Sequence, residues 1–206
     1  MSKASASLLA SLANRRSYYA LRNSSPIPDT KIQSIVSSIM FKTPSAFNSQ
    51  STRAILLLND QHEKLWNITK EILLAKIGPE RFQQTGPKLD GFKAAYGTVL
   101  FYEDQSVIAE LKKKFPLYAE NFDAWSEHTS GMHQLMAWMA LEEEGFGANL
   151  QHYNPVIDER VAEAWGVPGT WKLRAQLVFG VPEGERPAEK EKLALGELLK
   201  VYGAKI

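Results

Sequence analysis

Three short segments of this chain carry side chains suited to holding a charged or polar small molecule. The first is Asn14-Arg15-Arg16-Ser17. Two guanidinium groups offer planar, permanently charged donors, and with a neighbouring hydroxyl they suit a phosphate. Taken alone, the same residues read more simply as the basic end of a helix, where cations complement the macrodipole. The second is Pro44-Ser45-Ala46-Phe47-Asn48-Ser49-Gln50, with Arg53 just beyond. Its hydroxyl and amide groups both donate and accept, so they match a ring edge of mixed hydrogen-bonding character. On their own they are a polar turn. The third is Gly145-Phe146-Gly147-Ala148-Asn149-Leu150-Gln151-His152-Tyr153. Its glycines could simply end a helix, and it lacks the third glycine and the preceding strand of a dinucleotide-binding fingerprint.

Other chemistries are poorly supplied. The absence of cysteine removes disulfides, thiol nucleophiles and thiolate metal sites together. Histidines 62, 128, 133 and 152 form no His-x-x-x-His or Glu-x-x-His pair on one helix face, so no metal site is expected. A histidine can serve as acid, base or ligand, but packing and hydrogen bonding are the expected role of His152. With 24 Lys and Arg against 23 Asp and Glu, there is no chain-wide basic field, and nucleic acid is not an expected partner. The first dozen residues are too polar for a signal segment, and nowhere do about 18 apolar residues run together. A cytoplasmic protein without a membrane partner is expected.

The elements that must position these segments follow from periodicity. Ile32, Ile35, Val36, Ile39 and Met40 form one helical stripe between Asp29 and Met40, ended by Thr43-Pro44. Leu8, Leu9 and Leu12 mark an N-terminal helix. Residues 54–58 and 98–102 read as buried strands, joined by a crossover helix over 61–77. The breakers within 86–97 predict a loop. Residues 107–115 predict a helix whose charged face is solvated, and 130–144 a largely buried helix carrying Met132, Leu135, Met136 and Met139. A helix over 156–165 and an alternating strand over 173–179 follow. The apolar piece at 198–202 could be a strand or a helix end. Phe115, Tyr118, Phe122 and Trp125 cluster before the buried helix, some as core and some free to stack on a ligand. A chain of 206 residues, 44% hydrophobic, fits one domain over 1–206.

In their order and spacing the three segments together resemble the nitroreductase family of flavoproteins, over nearly the whole chain from Asn14 to about Lys192. The Gly-Ala-Asn-Leu-Gln-His-Tyr-Asn run is similar to a branch that includes fungal nitroreductase-like proteins, linked to fatty-acid signalling and oxidative stress, and bacterial relatives. The resemblance implies an α+β nitroreductase-like fold, with a mixed central sheet wrapped by helices, and an intertwined homodimer holding FMN at its interface. Helix 130–144 would lie at the dimer centre, and 198–202 would cross to the partner's sheet.

For individual residues, the resemblance implies that Arg15, Arg16 and Ser17 grip the FMN phosphate and ribityl chain, while Tyr19 replaces the family's basic residue. Pro44, Ser45, Asn48 and Gln50 match the motif that meets the flavin's polar edge, although Ser51-Thr52 stand where many members have Pro-Trp. Gln151, His152 and Tyr153 occupy the loop beside the reactive face. Lys190 and Lys192 would complete the phosphate clamp. Lys88, in preference to Lys93, would support negative charge on the reduced ring. NADH or NADPH would be the reductant, and a nitroaromatic or quinone the small-molecule acceptor, in a ping-pong reaction on flavin N5 with no side-chain nucleophile. Stress defence is one setting for this activity. A flavin-binding regulatory or stress-response protein with little turnover is the alternative.

Overall fold

The computed structural model describes residues 3–204 of the chain. It is an α+β structure with helices α1 (Lys3–Asn14), α2 (Asp29–Lys42), α3 (Asn59–Lys93), α4 (Gln105–Lys114), α5 (Phe122–Glu143), α6 (Asp158–Trp165) and α7 (Leu195–Leu198). The strands are β1 (Leu21–Arg22), β2 (Thr52–Leu58), β3 (Gly97–Asp104), β4 (Gly147–Gln151) and β5 (Trp171–Pro182). β5 pairs with β3, β4 and β1, and β3 pairs with β2. All these pairings are antiparallel. A mixed sheet was expected, yet among the described residues the one parallel pairing is the isolated bridge Ser17↔Ala148.

The reason lies in α3. Gly78 takes φ 77° and breaks the helix, and Pro79 begins the second segment, where its fixed φ is suited. The two segments double back on each other, as ion pairs Lys70–Asp90 and Lys93–Glu63 record. The chain therefore returns to the end of β2 from which it left, and Leu58 pairs with Gly97. A hairpin of helices replaces the expected single crossover. The predicted loop 86–97 is helical as far as Lys93, because Leu89 and Phe92 are fully buried and packing overrides the local breakers.

Alternating strand residues face two cores, as a period of two requires. One face packs Leu100, Tyr102 and Val178 against Leu65, Trp66, Leu89 and Phe92 of α3 and Val161 of α6. The other packs Val99, Phe101, Leu177 and Phe179 against Ile32 and Val36 of α2 and Ala137 and Leu141 of α5. The expected helix 130–144 begins earlier, at Phe122, and its orientation differs from the expectation. Thr129, Ser130, His133, Ala137 and Leu141 face inward, while Met132, Leu135 and Met136 are 40–42% exposed. Beyond Pro182 the chain leaves the sheet. α7 is a single turn, and Leu199, Val201 and Tyr202 are exposed, so 198–202 forms no strand in this chain.

Candidate functional site

The Arg15–Tyr19 segment is laid along β4 by backbone bonds. Tyr18 N donates to Ala148 O at 2.9 Å, and Asn149 Nδ2 donates to Tyr18 O at 2.6 Å. Gly147 makes this approach feasible, since a Cβ there would lie 2.8 Å from the Tyr18 ring. Asn149 Oδ1 in turn accepts from Gln151 Nε2 at 2.8 Å, and the Ser17↔Ala148 bridge joins the first and third sequence segments directly.

Arginines gather where α1 ends. The Arg15 guanidinium lies 4.4 Å from the Trp138 ring centroid, a cation–π contact. Arg16 Nη1 donates to Ala13 O at 2.6 Å and Arg15 O at 2.8 Å, capping carbonyls left open at the helix end. Its Nη2 is 3.4 Å from Glu189. Its Nε–H is buried and has no partner. Arg186 Nη2 donates to Asn14 O at 3.0 Å. The carboxylate of Glu142 accepts from Arg16 N, 3.3 Å from each oxygen, and from Trp138 Nε1 at 2.8 Å. Burial pushes the Glu142 carboxyl above its ordinary range, against the Trp138 and Arg16 donors and the nearby Arg15 and Arg16 charges.

Tyr19, Tyr153 and Lys88 meet around Phe92. Tyr19 lies 6.5 Å from its ring, Tyr153 6.3 Å and Lys88 Nζ 6.0 Å. Tyr153 also packs edge-on to Trp66 at 5.6 Å. Gln151 is half-buried and His152 exposed beside it. Lys93 is engaged with Glu63 at 3.9 Å. Lys190 and Lys192 are exposed on the segment that Glu189 ties to Arg16.

The Pro44–Gln50 segment lies elsewhere. Ala46 N donates to Thr129 Oγ1 near the start of α5, at 3.5 Å, whereas Arg16 N reaches Glu142 near its end. Thirteen residues of helix separate these anchors, about 20 Å at 1.5 Å per residue. One chain therefore does not bring Ser45, Asn48 and Gln50 to Arg15, Arg16 and Ser17. The loop is strained: Phe47, Asn48 and Gln50 all adopt left-handed φ, at 54°, 51° and 49°. Such conformations cost about 1–2 kcal/mol each for residues with a Cβ and cluster at functional sites. Phe47 fastens the loop by stacking on Trp125 at 5.5 Å and meeting Phe115, Phe122 and Tyr118 at 5.0, 5.3 and 5.7 Å. Ser45 Oγ accepts from Gln50 N at 3.0 Å.

Beside the loop is a cavity of about 390 Å³ lined by Ser45, Asn48, Gln50, Thr52, Arg53 and His133. Beneath it Glu103, fully buried, accepts from Ser51 and Thr52 hydroxyls, each at 2.6 Å. Burial raises the Glu103 carboxyl against those two bonds and the Arg174 charge. Burial lowers the pKa of His133, outweighing its bonds to the carbonyls of Thr129 and Met40. Among the described residues no group of three His, Asp or Glu side chains is placed to hold a metal ion. None of their helices is long and apolar enough to cross a membrane.

Phe47, Glu103, Glu142, Asn149 and Arg186 escaped the sequence reading. Phe47 and Asn149 stood inside segments already singled out, without a role of their own. Glu142 is one of three consecutive glutamates, and nothing in the sequence distinguishes the one that meets Arg16 and Trp138.

Comparison with known proteins identifies the family and the fold. Residues 12–181 match the model of the nitroreductase family. The Saccharomyces cerevisiae protein HBN1 is 39% identical over 187 residues, 90% of this chain and 92% of that protein. Nitroreductase FRM2 from the same yeast is 33% identical over 94% of this chain and 96% of its own length. The structure of nitroreductase CinD from Lactococcus lactis in complex with chloramphenicol is 45% identical, covers 95% of this chain and 99% of that chain, and superimposes with a TM-score of 0.85. CinD has a similar structure in complex with 4-nitrophenol.

Proposed function

The chain belongs to the nitroreductase family, an enzyme family, and on that premise we propose that it is an FMN-dependent oxidoreductase of the cytoplasm, passing hydride from NADH or NADPH to nitroaromatic or quinone-type acceptors in oxidative or chemical stress defence. The observation that carries the cofactor assignment is the buried Arg16 Nε–H without a partner, set among the guanidinium groups at the end of α1. An unpaired buried donor on a charged group is costly, and a phosphate oxygen would satisfy it. The residues thus fit the group. Arg15, Arg16 and Ser17 would hold the phosphate end, with Lys190 and Lys192 reaching it from the segment tied to Arg16.

The two half-sites support a homodimer, with residues 1–206 acting as one domain in each copy. Two-fold pairing of α5 against a second α5 would set the Arg16 end of one helix beside the Ser45 end of the other. The exposed Met132, Leu135 and Met136 give that pairing its apolar surface, together with Ile39 and Pro44 along a groove of about 350 Å³. The exposed Leu198, Leu199, Val201 and Tyr202 have the character of a segment that packs on the partner.

When bound, FMN supplies acceptance of hydride from the nicotinamide and its delivery to the second substrate. The chain's own residues do the rest. Ser45, Asn48 and Gln50 hold a polar ring edge, the strained loop being preorganised for it. Lys88, which has no carboxylate within salt-bridge distance among the described residues and lies 6.0 Å from the Phe92 ring, would support negative charge on the reduced ring. Gln151, His152 and Tyr153 close the neighbouring side. The nitro compounds in the CinD complexes, chloramphenicol and 4-nitrophenol, are the acceptor class we extend to this protein.

The test is a titration of the purified protein with FMN, followed by flavin fluorescence and by gel filtration with light scattering. One FMN per chain on a dimer is the expected result. A monomer, or a protein that takes up no FMN, would overturn the proposal.

A further inference from the structure

The arginine corner contains its own anion. Glu142 reaches it from the last turns of α5, and its two oxygens accept the Arg16 backbone N–H and the Trp138 indole N–H. Trp138 is also the ring over which Arg15 is stacked. A single carboxylate therefore fixes both arginines, one through its backbone and one through the aromatic platform. The charged and titratable groups around it are Arg15 and Arg16 from the segment after α1, and Tyr18, Glu143 and Arg186, which share with Glu142 a polar cavity of about 430 Å³. Glu189 bears on it through Arg16.

We propose that Glu142 is a built-in counter-anion of the phosphate corner, which holds Arg15 and Arg16 in place in the flavin-free protein and takes up a proton when a phosphate-bearing flavin binds. This rests on the FMN reading above. A phosphate dianion brought to these arginines adds like charge beside a carboxylate already short of solvent, and protonation of Glu142 relieves the repulsion. The proton comes from solvent and ends on a Glu142 oxygen, while the other oxygen remains free to accept. The direction of its existing displacement is the one this requires, since burial already favours the neutral acid. The consequence is selective. Glu142 opposes FMN through its phosphate and has no such effect on riboflavin, which has the same ring and ribityl chain.

The experiment compares wild type with Glu142→Gln, measuring dissociation constants for FMN and for riboflavin by flavin fluorescence. Titrations run from pH 6.5 upward, above the second phosphate pKa of about 6. The amide keeps an acceptor for Trp138 or Arg16 N and removes the charge. Expected is FMN binding tighter by roughly tenfold in Glu142→Gln, once the like charge beside the phosphate is gone, with riboflavin binding unchanged. Wild-type FMN affinity should also fall with rising pH, with that slope lost in the variant. Thermal melting of both proteins verifies the fold, and Glu142→Asp, which keeps the charge, should not reproduce the gain. Equal changes for both flavins, weaker FMN binding in Glu142→Gln, or no change would overturn the inference. Wild type that binds neither flavin would instead remove the FMN reading on which it rests.

Discussion

Replacing Gln50 by Gly should make the flavin-free protein more stable while weakening its hold on FMN. Gln50 has φ 49°, its side chain is exposed, and its fixed contacts are backbone ones: N–H to Ser45 Oγ and C=O to Arg53 Nη1. Those bonds survive loss of the side chain. Left-handed φ costs a residue with a Cβ about 1–2 kcal/mol, and glycine escapes that cost. Its greater freedom in the unfolded chain takes back about 0.5–1 kcal/mol. At the middle of both ranges the net gain is about 0.75 kcal/mol, an increase of roughly 2–3 °C in Tm for a chain of this size. The lost amide, if it meets the flavin, should raise the FMN Kd roughly 3- to 10-fold, as expected for one hydrogen bond. Differential scanning calorimetry and flavin fluorescence measure the two effects. Gln50→Ala is the control, because it removes the amide and keeps the strain; it should weaken FMN equally and gain no stability. Equal Tm values for the Gly and Ala variants would refute the strain argument, and an unchanged Kd in both would refute the assignment of Gln50.

Three further perturbations test separate parts of the structure. Arg15→Ala with Arg16→Ala should weaken FMN at least about 100-fold, since two charge-assisted contacts of about 1.5–3 kcal/mol each are removed, and the far-ultraviolet dichroism should be unchanged. His62 is fully buried, with Nδ1 2.9 Å from Thr98 Oγ1 and Nε2 3.0 Å from Phe92 O, and burial holds its pKa down to about 4. Its neutral form therefore contributes stability that is complete above about pH 6.5 and is lost as pH falls to about 4, by about 3 kcal/mol; urea midpoints across that window should slope less steeply in His62→Asn than in wild type. Gly180→Ala would put a Cβ 2.6 Å from Arg22 O and 3.0 Å from Tyr96 N, both backbone atoms, so it should cost about 1–3 kcal/mol by urea unfolding.

The helices and strands with strong periodicity were legible. Ile32 and Val36 of α2 are buried on the predicted stripe, and Leu173, Ala175, Leu177 and Phe179 fall within one strand, β5. The α3 hairpin was not legible, because Gly78-Pro79 reads equally as the end of a helix and as a turn between two. Residues 86–93 misled for a related reason: Gly86, Pro87 and Gly91 argue against a helix locally, and the burial of Leu89 and Phe92 that outweighs them is a tertiary fact. Met132, Leu135 and Met136 form a genuine apolar stripe, but periodicity does not say which surface a stripe meets. At the candidate site, the link between Gly145–Tyr153 and Arg15–Tyr19 has its physical form in Asn149 and the Ser17↔Ala148 bridge. The role of Glu142 depends on which of three adjacent glutamates turns inward, a matter of helix phase against Trp138.

The most direct measurement is the visible spectrum of the FMN-reconstituted protein under anaerobic conditions, recorded before and after NADH or NADPH and again after 4-nitrophenol or a quinone. Flavin bands that bleach with the nicotinamide and return with the acceptor are the predicted result. Bands that persist with either nicotinamide would contradict the oxidoreductase reading and leave a flavin-binding regulatory protein in its place.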